Sequence, residues 1–203
     1  MQAYKFLDAD GRAPFTGVPW TPGVWVEAGA ADPCREGVHA CLPVDLSHWL
    51  TAALWEVELD GEVKRTRRKL VASRGRLLRP VEGYEAAVRE LADVGAWRSR
   101  DRAVVALGDA DAGDRLAAAN TLDEAAAIGA GEDESTFGGR AAVLASDAAY
   151  CARHGTAPQS PFVAACSAGH LAAGPEGDQA AFDEGYAAER AFQSAWLADR
   201  LGL

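Results

Sequence analysis

Apolar and polar positions alternate along the first 80 residues, and the spacing then turns helical. Trp55, Val57 and Leu59 interleave with Glu56 and Glu58, the mark of a strand with one buried face. Asp60-Gly61 follows and predicts a hairpin turn. The return strand would run from Val63 through Leu70-Val71-Ala72 to Leu77-Leu78. Tyr4 and Phe6 predict a first strand ending in a turn at Asp8 to Gly11. Pro14, Gly17, Pro19, Pro22 and Gly23 mark a loop that carries Phe15 and Trp20. Short strands are expected at Trp25 to Glu27 and at Gly37 to Cys41, and a short helix over Pro43 to Leu50 with Asp45 as its N-cap.

Beyond Pro80 the alternation ends. Tyr84, Val88, Leu91 and Val94 have helical spacing, with Gly95 as a stop. Thr121-Leu122-Asp123-Glu124 has the form of a capping box. Further helices are expected from Arg140 to His154, from Ser160 to about Gly169, and from about Asp178 to Leu201, the last striped with Phe182, Tyr186, Gln193, Trp196 and Leu197. Residues 103–203 hold 30 alanines, whose small side chains let helices approach closely. The pattern predicts an α+β fold, with a β-rich N-terminal half containing a short helix (residues 1–81) and an Ala-rich α-helical bundle after it (residues 82–203). The connection is short, so the halves are expected to pack as one unit, with the crevice between them as the default site.

Composition adds limits. A chain of 203 residues, 49% apolar and 25% charged, can bury a real core. A net charge of −10 argues against a general nucleic-acid or anionic-membrane binder. The charge is uneven, however. Residues 1–59 carry 3 basic and 8 acidic groups, residues 60–102 carry 12 and 7, and residues 103–203 carry 5 and 15. Within the basic segment, residues 64–79 (KRTRRKLVASRGRLLR) hold eight basic groups and no acidic one. An anionic ligand, phosphate or nucleic acid, would be sought there, although interleaved aromatics for base stacking are missing. A cationic partner would be sought on the helices. No apolar run is long enough to span a bilayer and the N-terminus has no signal-peptide pattern. A cytoplasmic protein with reduced thiols and no membrane partner is expected.

The cysteines and histidines cluster. Cys34, His39, Cys41 and His48 fall within 15 residues, and Cys151/His154 and Cys166/His170 share helix faces. Zinc is one reading, with Cys34, His39, Cys41 and His48 as ligands, although the spacing matches no common finger. A cysteine nucleophile, Cys34 or Cys41, assisted by His39 is another. A Cys34–Cys41 disulfide is a third, and a cytosolic location argues against it. Buried, unreactive thiols and a satisfied core histidine are the plain alternative. If the Trp55–Leu59 strand lay beside Val38–Cys41, Glu56 could meet His39 for general acid–base work; otherwise Glu56 and Glu58 form a solvated face. The candidate catalytic residues are therefore His39, Cys41 and Glu56, with Tyr4, Trp20 and Trp25 as candidate ligand-binding residues. Phosphate-loop, dinucleotide, nucleophile-elbow and zinc-protease motifs are absent.

Tyr4-Lys5-x-Leu7-Asp8, Cys34-x-x-Gly37-Val38-His39-Ala40-Cys41, Trp55-Glu56-Val57-Glu58-Leu59-Asp60-Gly61 and Lys69-Leu70-Val71-Ala72 together resemble a small domain of unknown function found in bacterial and phage proteins. That resemblance implies no particular activity. The helical half, ending Glu189-Arg190-x-x-Gln193-x-x-Trp196-Leu197, is similar to Ala-rich helical domains described as immunity proteins, which bind a partner without catalysis. The order of a Tyr-bearing strand, a Gly-x-His strand, a short helix and a strand ending in Glu also resembles divergent ADP-ribosyltransferase-like domains. Those domains carry Arg or His on the first strand, where this chain has Tyr4-Lys5. Two expectations follow. A binding or immunity-type module would present a shallow surface to a protein or small-molecule ligand. A small-molecule enzyme would have a deep, tryptophan-lined pocket into which His39 points. The residues alone do not decide whether the chain is an enzyme.

Overall fold

A computed structural model describes residues 1–33, 35–108 and 110–203. The fold is α+β, with an antiparallel sheet in the N-terminal half and helices in the C-terminal half. The chain divides into two compact units: Met1–Ala87 together with Ser194–Leu203, and Val88–Gln193.

In the first unit the strands are β1 (Gln2–Leu7), β2 (Val26–Glu27), β3 (Val38–Ala40), β4 (Ala53–Arg65) and β5 (Leu70–Pro80), with a 3-10 helix at Pro43–His48 before β4. Pairing is antiparallel throughout. β4 lies between β1 and β5, and the far edge of β5 takes β2 at Arg74–Gly75 and β3 at Leu70–Ala72. An isolated bridge then joins Tyr4 to Cys41: Tyr4 N–H donates to the Cys41 carbonyl at 2.9 Å and Cys41 N–H to the Tyr4 carbonyl at 2.8 Å. This bridge joins the outer edge of β1 to the residue that follows β3, so the sheet curls round on itself there. Ala3, Leu7, Val38, Ala40, Val57, Leu59, Leu70, Ala72 and Leu77 pack inside it, with Trp20 added from the loop after β1.

Three local expectations are corrected here. Asp60-Gly61 is not the hairpin turn, because β4 runs straight through it. Gly61 sits at φ +74° in a bulge, where the register jumps from Asp60 opposite Arg74 to Val63 opposite Ala72. A Cβ on Gly61 would collide with Ser73 Oγ. The same left-handed geometry that serves a tight turn serves a bulge. The turn lies at residues 66–69, closed by Thr66 N–H donating to the Lys69 carbonyl at 2.8 Å. Asp45 is not an N-cap; Leu42 is, without a side-chain cap. Asp45 is instead buried within the 3-10 helix, its carboxylate 3.3 Å from Arg65. Finally, β4 does not neighbour β3.

Four of the eight basic groups of residues 64–79 pair within their own hairpin. Glu56, Glu58 and Asp60 on β4 stand opposite Arg79, Arg76 and Arg74 on β5 and pair with them, the first two at 2.7 Å. Lys64 pairs with Glu62 at 3.0 Å. The last residues of the chain also belong here. Ser194 Oγ accepts from Ser47 N–H at 3.0 Å and donates to Ser47 Oγ at 2.9 Å, and Leu197 is fully buried.

The helices are α1 (Tyr84–Leu107), α2 (Asp111–Ala118), α3 (Leu122–Ile128), α4 (Phe137–His154), α5 (Gln159–Ala173) and α6 (Gln179–Leu201). Gly95 does not stop α1. It lies inside the helix, facing Pro161 and Ala164 of α5 at ordinary contact distance. The capping box is present: Thr121 Oγ1 accepts from Glu124 N–H, and the Glu124 carboxylate accepts from Thr121 N–H, both at 3.2 Å. Thr136 caps α4, which starts three residues before the predicted Arg140. The core of the second unit is mostly alanine, among them Ala96, Ala103, Ala125, Ala142, Ala145, Ala148 and Ala164, filled out by Leu116, Leu122 and Ile128. Among the described residues no helix is long and apolar enough to cross a membrane.

Within this apolar packing Glu189 is completely buried as a carboxylate between Arg98, at 3.0 Å, and Arg102. Gln193 Nε2 donates to Glu189 at 3.3 Å and to the Pro161 carbonyl at 2.8 Å. Removing one member of a buried charge cluster strands the rest. Glu189→Ala is therefore expected to destabilise the second unit by about 3–5 kcal/mol, seen as a lower urea midpoint. Arg74→Ala, at an exposed pair, should leave the midpoint near wild type.

Candidate functional site

The first unit contains a cavity of about 730 Å³, with all of its lining drawn from residues 4–69. The closure between β1 and β3 makes its floor, placing Tyr4, Lys5 and Phe6 next to His39, Ala40 and Cys41. The loop after β1 adds Trp20, the end of the 3-10 helix adds His48, and the segment after it adds Trp49 and Thr51. Phe15, 87% exposed, and Val18 stand at its mouth. Trp49 Nε1 donates to the Arg68 carbonyl at 2.8 Å, and Thr51 Oγ1 donates to the Leu7 carbonyl at 2.7 Å. Trp49 is thus pinned to the β4–β5 turn and Thr51 to the end of β1.

The least expected residue is Lys5. On β1 it shares the buried phase with Ala3 and Leu7, and it is only 6% exposed. Its Nζ donates to the His39 carbonyl at 2.9 Å and lies 4.5 Å from the centroid of the Trp20 ring. Among the described residues no carboxylate pairs with it. Burial pulls its pKa down to about 8. Burial, reinforced by the charges of Lys69 and Lys5, likewise lowers His39 to about 4, so its imidazole is neutral at physiological pH. His39 Nε2 is itself buried without a hydrogen-bond partner. Cys41 is a buried free thiol. Burial, then the Asp45 charge, raise its pKa. It therefore stays protonated and is poorly suited to act as a nucleophile.

Of the residues singled out from the sequence, Tyr4, Trp20, His39, Cys41 and His48 come together around this cavity. Glu56 does not join them. β3 docks on β5 rather than on β4, and the Glu56 carboxylate is taken by Arg79 at 2.7 Å and by Gln2 Nε2 at 3.0 Å. Trp25 also lies elsewhere, its ring stacked on the guanidinium groups of Arg74 and Arg76 at 4.8 Å each. Cys34 falls outside the described residues. Among the described residues no group of three or more His, Cys, Asp or Glu side chains is placed to hold a metal ion. The two helical Cys/His pairs have structural neighbours: His154 is 3.4 Å from Asp123 and packs on Tyr150. His170 Nε2 donates to the Phe137 carbonyl at 3.1 Å, and its ring stacks on Phe137.

Sequence reasoning missed Lys5 and Trp49. The signal for Lys5 was its place between Ala3 and Leu7, on the apolar phase of an otherwise readable strand. Chemically, the site offers aromatic walls, one buried ammonium, a neutral imidazole and an un-ionised thiol. Comparison of the chain with protein-family models, curated proteins and solved structures finds no match.

The lowered pKa of Lys5 has a direct consequence for stability. Between about 8, the folded value, and 10.5, the ordinary one, the unfolded chain binds more protons, so folding becomes more favourable as pH rises. Below that window the full penalty of the buried ammonium is present. Relative to Lys5→Met, the wild type should gain on the order of 3 kcal/mol between these two pH values. Urea titrations of both proteins across the window check this, and a constant difference would mean that the ammonium is not buried.

Proposed function

We propose that the chain is a ligand-binding protein whose β-unit holds a small, mainly apolar molecule in the cavity of residues 4–69. The observation that supports this most is the cavity itself. Its volume, about 730 Å³, lies in the roughly 300–1,000 Å³ range of small-molecule sites, and such sites combine apolar and aromatic walls with a few converging polar groups. Trp20, Trp49, Tyr4 and Phe15 supply the aromatic surface, and Lys5 and His39 supply the polar groups. A tryptophan-lined pocket with His39 in its wall was the expectation for a small-molecule enzyme, and a shallow surface that for a binding module; the cavity supports a small-molecule ligand over a protein partner. Binding without catalysis is favoured because Cys41 is held un-ionised and Glu56 is engaged elsewhere. Free cysteines at 41, 151 and 166 fit the reducing cytoplasm.

Six tryptophans give six indole N–H signals in a heteronuclear NMR spectrum, which makes the test direct. Neutral bicyclic aromatics such as indole, quinoline and 2-naphthamide should shift the signals of Trp20 and Trp49 saturably and leave that of Trp97, in the helical unit, in place. Ala13→Phe, which fills the mouth, should weaken this binding about tenfold, or about 1.4 kcal/mol. If no member of the panel moves Trp20 or Trp49, the proposal fails.

A further inference from the structure

We infer that the cavity takes an organic monocarboxylate with a flat apolar body, its carboxylate paired with the Lys5 ammonium. The inference rests on the binding reading above and adds the charge of the ligand to it. Lys5 has three N–H donors, of which the His39 carbonyl takes one. The Trp20 face attracts the ammonium but carries no net charge to neutralise it. A buried charge without a counter-ion costs several kcal/mol, and Glu189, which is also buried, avoids that with two arginines. Among the described residues no counter-ion stands at Lys5, and the ammonium lies in the wall of a cavity large enough to admit one. The other charged lining residues do not cancel it. Arg35, Glu27 and Glu36 are exposed, and Lys69 adds to the positive field around His39.

The count of charges selects the anion. One buried ammonium beside a neutral imidazole and a thiol matches a single negative charge. A phosphate, nearly dianionic at neutral pH, calls for several donors or a guanidinium fork, and no arginine is buried in this cavity. The walls formed by Trp20 and Trp49 suit a flat ring system behind the carboxylate.

The test compares 2-naphthoate, 2-naphthamide and 2-naphthyl phosphate by isothermal titration against wild type and Lys5→Met. A charge-assisted hydrogen bond in a desolvated site should make the carboxylate bind about tenfold to a hundredfold tighter than the amide. In Lys5→Met that preference should vanish while the amide binds as before. Three lysines give three resolved ε-methylene signals in lysine-labelled wild type. The Lys5 signal should move with the acid and not with the amide, a readout that does not depend on the variant folding. Equal binding of acid and amide, a preference that survives in Lys5→Met, or a Lys5 signal unmoved by the acid would overturn the inference and leave the binding reading standing. Tighter binding of the phosphate would overturn the choice of carboxylate. Failure of all three probes to bind would count against both readings.

Discussion

The pair of backbone hydrogen bonds between Tyr4 and Cys41 is the constraint on which the β-unit depends. Without it β1 and β3 would be two separate edges of a curled sheet. With it they are neighbours, Lys5 is brought beside the carbonyl of His39, and a cavity forms over the junction. Four residues of Gly37-Val38-His39-Ala40-Cys41, all but His39, then have a structural reason. Gly37, at φ +143°, lies so close to β5 that a Cβ would collide with Val71. Val38 and Ala40 point into the core. Cys41 is a small apolar group at the bridge, so its presence needs no thiol chemistry.

Charge in this molecule is settled locally. The excess of basic groups at residues 64–79 looks like a patch for an external anion, but folding the β4–β5 hairpin sets Arg74, Arg76 and Arg79 against Asp60, Glu58 and Glu56. Exposed pairs of this kind contribute little to stability. Their effect is on the field, since they remove from the outer face of the hairpin much of the potential the linear sequence suggests. Glu189 shows the same economy in the helical unit, where one carboxylate holds two arginines inside an alanine core.

The sequence was most legible where structure is local. Strand alternation, the loop prolines, the Thr121–Glu124 capping box and the alanine helices all depend on neighbours within a few residues. It was least legible where one local signal has two outcomes. Asp60-Gly61 can turn a chain or bulge it, and Ser73, thirteen residues beyond Asp60, forms the contact that goes with the bulge. Gly95 can end a helix or let another one approach. Strand order is a long-range property: nothing in Leu54–Leu59 says that its neighbours are β1 and β5 rather than β3, and with that choice Glu56 passes from a possible partner of His39 to the partner of Arg79. Of the clustered Cys and His residues, His39, Cys41 and His48 line the cavity.

Lys5 and Glu189 are both buried charges, and the contrast between them says which one the fold itself requires. Glu189 is compensated on all sides, so a neutral replacement breaks a network and the fold loses by it. Lys5 is compensated by a carbonyl and a ring face, interactions worth about 1–3 kcal/mol together, against a desolvation penalty of several kcal/mol for an ammonium. An apolar side chain of similar length would serve the interior of the sheet better. A residue that breaks the local rule of its strand without returning stability is the kind of departure that function explains. The charge is kept where burial meets an opening, between the closure that fixes its position and a cavity that can bring it a counter-ion.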